Sequence, residues 1–380
     1  MAKTAEVIVL GTGGVGSAAL YQLARRGVSC LGIDRFPPGH DRGSSHGETR
    51  MIRMSYFEHP DYVPLLRKAY SLWDELAETR GESLFHRTGL VYFGAPDGAV
   101  LDGIRTSAVE HGLDVESVAA EDVGARFPGF RVPIGARTLF EADAGYLLVE
   151  DCVRAHLAEA TRLGARHVHG ETIRAWAASD GHVVVETDRD RYEAGSLVVT
   201  AGCWAESLLG GLGLKLRVMR KHLHWRLSES DVYRESHGCP CFFFESDGGF
   251  FYGFPEREGA GVKVAEHSGG VEIRDPLNDP RAVDEEDAAR INAFLDRCLP
   301  GVSATRSIRR EVCFYTMSRD EHFIVDRHPE HGNVSFAAGL SGHGFKFAPV
   351  LGSALADVAT ENKTRAEIGF LRLDRPGLKG

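Results

Sequence analysis

The sequence predicts an α/β protein of two parts: a parallel, Rossmann-like unit that is discontinuous along the chain, and a second unit on a mainly antiparallel sheet with helices. Three observations predict it. The N-terminus reads strand, glycine turn, helix, strand. Residues 217–272 are rich in β-formers that alternate as antiparallel strands do. From 312 the chain returns to strand, glycine loop and helix. Its 380 residues suit two domains.

The elements follow in order. Glu6 to Leu10 is a short apolar run, the pattern of a buried parallel strand. Gly11-Thr-Gly-Gly-Val-Gly16 follows, then apolar residues at helical spacing over 18–24, with Gly27 as the stop. Val28 to Ile33 is a second strand ending at Asp34, 18 residues after Gly16. A lone G-x-G-x-x-G says little, but a whole βαβ unit closed by an acid reads as a dinucleotide site. Gly11 permits the tight turn, Gly13 admits a pyrophosphate to the backbone, with Gly14 beside it, and Gly16 lets helix and strand pack. The helix N-terminus offers N–H groups and partial positive charge, and Asp34 can accept from ribose hydroxyls.

NAD and FAD share this fingerprint. A nicotinamide enzyme would continue in regular βα repeats, whereas here a polar, Gly- and His-rich loop runs from Pro37 to Arg50, containing Ser44 and His46. Residues 62–80 read as an amphipathic helix, 89–94 as a strand, 98–128 as mixed helix and turn, and 151–163 as helix. A hairpin pattern at 182–187 precedes a strand ending in Thr200-Ala-Gly202, a second turn that dinucleotide-fold flavoproteins place beside the cofactor; with the N-terminal unit it favours FAD. Residues 283–299 are helical. The expected division puts 1–88, 146–216 and 312–380 in the FAD-binding domain, and 89–145 and 217–311 in the substrate domain.

Composition narrows the function classes. Hydrophobic residues are 43% and charged residues 26%, ordinary for a folded domain. The net charge is −10 and no basic stripe is interleaved with aromatics, so nucleic acid is not an expected partner. No run of about 18 apolar residues predicts a membrane span. The glycine loop starts where a signal-peptide cleavage site would stand, and seven scattered cysteines do not make a disulfide scaffold; the expectation is a cytoplasmic protein. Cys239 and Cys241 have no second pair to complete a zinc site, so no metal is expected.

Six ordered motifs carry a resemblance along essentially the whole chain: G-T-G-G-V-G at 11–16, G-S-S-H-G-E-T-R-M-I-R at 43–53, Y-G-F-P at 252–255, V-K-V-A-E-H at 262–267, C-F-Y-T at 313–316 and G-L-S-G-H-G-F-K-F at 339–347. The sequence resembles the monomeric sarcosine oxidase family, which includes N-methyltryptophan and pipecolate oxidases. The resemblance implies a monomeric FAD enzyme that oxidises a secondary amino acid to an imine, with O₂ reduced to hydrogen peroxide. It implies that Cys313 bonds covalently to the flavin, that Lys263 activates oxygen, and that Arg53 and Lys346 hold the substrate carboxylate. His46 and Arg50 match residues near the flavin ring. Tyr252, His267 and Tyr315 match residues of the substrate cavity, and Glu58 an acid at its entrance. Ser44, Gly342, Gly344 and Lys346 fall in cofactor-facing motifs.

Taken singly, these residues have plainer readings. Cys313 is a core cysteine, Lys263 a solvated edge-strand lysine, His267 a structural histidine and Glu58 a loop acid. Two other classes stay open: a flavin dehydrogenase with an acceptor other than O₂, and a non-catalytic flavoprotein. The choice among sarcosine, N-methyltryptophan, pipecolate and other secondary amino acids is open too.

Overall fold

The computed structural model describes residues 3–246 and 248–378. Its first sheet has eight strands. The parallel centre runs Arg191–Val199, Lys3–Leu10, Cys30–Asp34, Arg166–His169. Arg191–Val199 has two neighbours on its other edge: the hairpin strand His182–Thr187 pairs with its first half and Val334–Ala338 with its second. This sheet is buried on both faces, which is why its strands read as unbroken apolar runs. Val7 and Val9 enter one core, and Ile8 and Leu10 the other. Helix Gly14–Arg25 packs against Val149–Arg162 and Ala348–Glu361 on the first of these faces. Helix Tyr62–Arg80 matches the span read from its periodicity, and Gly81 at φ 64° ends it.

The second sheet has nine strands, in the order Val271–Ile273, Arg217–Ser228, Val262–Glu266, Gly249–Phe254, Cys241–Ser246, Leu90–Gly94, Arg137–Glu141, Glu116–Val118, with Val302–Met317 also paired to Arg217–Ser228. Only Cys241–Ser246 with Leu90–Gly94 is parallel, so the mainly antiparallel expectation holds. Helix Glu285–Cys298 starts at Asp284, whose side chain accepts from Glu286 N and Asp287 N. It covers one face, burying Ile291 and Phe294 against Phe251, Val262 and Val264. Strand alternation sends Tyr252, Phe254 and Ala265 to the other face, against a small sheet of Thr49–Ile52, Gly145–Leu148 and Phe85–His86. Tyr252 and Lys263 therefore lie on the face opposite the helix.

One strand spans an expected boundary. Val302–Met317 is a single strand, paired to Arg217–Ser228 from Val302 to Met317. The division at 312 cuts through it, because the apolar run at 312–317 is only its buried end. A division that follows the sheets falls after Met317. No helix among the described residues is long and apolar enough to cross a membrane.

Candidate active site

A cavity of about 330 Å³ runs from the N-terminal glycine loop to Lys346. At one end Gly11 has φ 83°, and a Cβ there would stand 2.7 Å from Thr200 O. Gly16 lies off the cavity: a Cβ would come within 1.8 Å of Gly11 O, so its role is helix packing. A Cβ at Gly13 would meet only Ser45 Oγ, at 3.7 Å, which leaves this backbone open to a ligand. Gly14 N–H donates to Ser45 Oγ at 3.1 Å. Asp34 is held at its strand end by Thr12 N (2.6 Å) and Phe36 N (3.0 Å), and it lines the same wall.

In the middle, Ser44 Oγ donates to Phe314 O at 2.6 Å. Arg50 Nη2 donates to Ser44 O at 2.8 Å and lies 3.1 Å from Cys313 Sγ. Cys313 is fully buried just behind this wall. Burial alone pushes its thiol up, but the Arg50 guanidinium, His46 and Lys263 outweigh it and bring the thiol down to about 6. His46, also behind the wall, has Nδ1 3.4 Å from Glu311 Oε2. Burial opposes its charge, yet Cys313 and Glu311 raise it to about 9. Each group thus favours the charged form of the other.

At the far end the Arg53 fork is occupied. Its Nη2 lies 2.7 Å from both oxygens of Glu58, its Nη1 donates to Ser55 O, and its guanidinium carbon stands 4.3 Å over the Tyr56 ring. Burial would raise the Glu58 carboxyl, but Arg53 holds it down to about 2. Lys346 Nζ donates to His343 O at 2.8 Å, with its ammonium 5.2 Å from the Tyr56 ring. Burial first, then the Arg53 charge, depresses Lys346 to about 7. Gly342 (φ 79°) and Gly344 carry the loop that delivers Lys346, and both line the cavity. Opposite stands a polar row: Tyr252 OH is 3.4 Å from Tyr315 OH, which is 3.5 Å from His267 Nδ1. Burial lowers His267 to about 3, so a neutral ring faces Tyr315.

Lys263 opens elsewhere. Its Nζ donates to Gly47 O, Thr49 O (2.8 Å) and Thr49 Oγ1 (3.0 Å), at the start of the strand that bears Arg50. It lines a second cavity of about 270 Å³ with Trp225, Phe254 and Thr49. Burial and Arg50 depress its ammonium well below the usual lysine range.

The model of the "FAD dependent oxidoreductase" family matches residues 6–358. The chain belongs to that family. This oxidoreductase is 38% identical over 378 residues to the monomeric sarcosine oxidase of Bacillus sp. (strain B-0618), covering 98% of this chain and 97% of the relative. It is 36% identical over 372 residues to the N-methyl-L-tryptophan oxidase of Salmonella dublin, covering 97% and 98%. Among solved structures it is similar to the open form of NikD, an unusual amino acid oxidase essential for nikkomycin biosynthesis, with TM-score 0.87, 25% identity and 97% of each chain covered.

The residues present fit FAD: an open glycine backbone at a helix N-terminus, a fixed acid at the second strand, and a long cavity leading from them to aromatic and cationic groups. Three contributors of the oxidoreductase were missed in the sequence. His343, inside a motif already singled out, accepts from Tyr56 OH and lines the cavity beside Glu58. Glu311 partners His46. Glu141, an ordinary strand residue by sequence, is buried and accepts from Met54 N, Ser55 N (3.0 Å) and Ser55 Oγ, which shapes the loop carrying Arg53.

Proposed function

We propose that this enzyme oxidises a secondary amino acid, N-methylated or cyclic, to an imine that hydrolyses to aldehyde and amine, while O₂ is reduced to H₂O₂. FAD, when bound, supplies the two-electron chemistry at the C–N bond. The observation that carries the reading is the meeting of two buried cations, Arg53 and Lys346, in one cavity, where among the described residues Glu58 is the one carboxylate hydrogen-bonded to either of them. Buried charge of one sign calls for an opposite partner, and a substrate carboxylate meets both. Glu58 is then the internal stand-in that an incoming carboxylate displaces from the Arg53 fork. Clamped there, the substrate lies against the Tyr252–Tyr315–His267 row, which excludes water and accepts or donates at its nitrogen.

The remaining assignments belong to the same proposal. Gly11, Gly13, Gly14, Asp34 and Ser44 hold FAD, Arg50 and His46 keep Cys313 a thiolate, and Cys313 is the covalent attachment point. Lys263 serves the oxygen half-reaction from the second cavity. The enzyme works as a cytoplasmic monomer of two domains. The test is a screen of secondary amino acids for anaerobic flavin bleaching, followed by peroxide measurement under air. No bleaching by any of them refutes the substrate class. Bleaching without peroxide turns the reading to a dehydrogenase.

A further inference from the structure

Lys221 is a lysine with no obvious reason to be buried. It lies on Arg217–Ser228, is 3% exposed, and does not line the active-site cavity. Its Nζ donates to His267 O (3.1 Å), Ser268 O and Gly269 O (3.0 Å). An ammonium has three donors. All three are used on three consecutive carbonyls of one turn. The lysine stem fits where the turn has no side chain: a Cβ on Gly270 would stand 2.9 Å from Lys221 Cδ. Gly269 (φ 66°) and Gly270 (φ 100°) adopt left-handed backbone that leaves the turn little stiffness of its own.

The same turn carries the only imidazole of the polar row opposite the clamp. His267 N–H donates to Phe250 O at 2.7 Å, and its ring stands within 3.5 Å of Tyr315 OH. The other side of the turn is held by Ser268 Oγ, which accepts from Phe250 N and donates to Glu266, itself paired with Arg290. Lys221 Nζ also stands 5.2 Å over the Tyr315 ring, so one buried ammonium touches the supports of two cavity residues.

We propose that Lys221 is a positioning residue: it fixes the His267–Gly269 turn, and so the place of the His267 ring, and through it the shape of the pocket opposite the carboxylate clamp. This rests on the substrate reading above. The charge contributes as well. After burial, Lys221 is the largest influence keeping His267 neutral, with His343 and Arg53 acting in the same sense and Glu58 against it. Lys221 in turn faces Glu266, Asp287, Arg290 and Cys313.

The experiment compares wild type, Lys221→Met and Lys221→Arg as purified holoenzymes, by anaerobic stopped-flow reduction with sarcosine, a bulky N-methyl amino acid and a cyclic one. Reoxidation by O₂ and thermal melting are recorded in parallel. A ring displaced by about 1 Å typically costs on the order of a hundredfold in rate. Lys221→Met is expected to slow limiting reduction by tenfold or more, to change the rank order of the three substrates, and to leave reoxidation within about twofold. Lys221→Arg, which keeps the charge and donors, is expected to restore the wild-type rank order. A Lys221→Met enzyme that melts earlier but keeps the wild-type rates and ranking overturns the proposal and makes Lys221 a stability residue only. Where Lys221→Met does not fold, Lys221→Gln is measured against the same criteria. Failure of the wild type itself to be reduced by any of the three refutes the substrate reading instead.

Discussion

The state of Lys346 makes substrate-carboxylate binding depend on pH in a definite direction. Burial and the Arg53 charge leave its ammonium titrating at about 7 in the ligand-free protein. An anion placed beside it favours the charged form, so binding raises that value and takes up a proton above pH 7. Arg53 does not titrate in this range, and Glu58, held at about 2 by Arg53 in the ligand-free protein, is ionised before the ligand arrives. Affinity for a small carboxylate such as methylthioacetate is therefore expected to be constant near pH 6. It should fall about tenfold per unit above 7, about 1.4 kcal/mol each, until the raised value in the complex is reached. The assay is a titration of the holoenzyme followed by flavin absorbance at several pH values between 6 and 9. Lys346→Met should bind at least tenfold more weakly at pH 6, from loss of a charge-assisted bond worth about 1.5–3 kcal/mol, and should lose the slope. A flat wild-type profile, or a slope that survives in Lys346→Met, would refute the reasoning.

Other expectations follow from the same charges. Glu58→Gln should tighten carboxylate binding at pH 6 by freeing the Arg53 fork. The advantage should shrink above pH 7, because Glu58 also supports the Lys346 charge; weaker binding at pH 6 would mean that Glu58 shapes the fork rather than blocks it. Cys313→Ser should release its FAD into the supernatant on acid precipitation, while wild-type pellets stay yellow. Lys263→Met should leave anaerobic reduction within about tenfold, roughly 1.4 kcal/mol in barrier, and slow reoxidation far more; equal slowing of both would give Lys263 a structural role.

What was legible in the sequence was whatever is local. The βαβ unit, the helix at 62–80 and the glycine loops could be read because their signals lie within a few residues of one another. Candidate residues could be singled out from motifs, but not their relations. That Glu58 fills the fork of Arg53 depends on a turn shaped by Glu141, about ninety positions away. That the Cys313 thiol is shifted downward depends on Arg50 and His46, brought from more than 260 positions away. Lys221 reads in sequence as one more basic residue on a strand, and only pairing of Arg217–Ser228 with its neighbours delivers it to the His267 turn. The continuity of the strand across 312 was hidden for the complementary reason: a strand with exposed and buried halves looks like two elements when only its apolar half is read.

These relations share one physical theme. Arg50, Arg53, Lys221, Lys263 and Lys346 are buried or nearly so around one site, and each depresses or competes with its neighbours: Arg50 lowers Lys263, and Arg53 lowers Lys346. A fold gains nothing in stability from crowding cations away from water. The compensation is local and incomplete: backbone carbonyls for Lys221 and Lys263, a thiolate for Arg50, and Glu58 for Arg53. Among these five cations and the described residues, Lys346 alone pairs a single carbonyl partner with a depressed charge, so it is the cation with most to gain from an arriving anion. On the proposed substrate reading, placing the deficit at that one position, in the cavity that the Tyr252–Tyr315–His267 row also lines, would turn an electrostatic cost of folding into a directional preference for an amino acid held by its carboxylate.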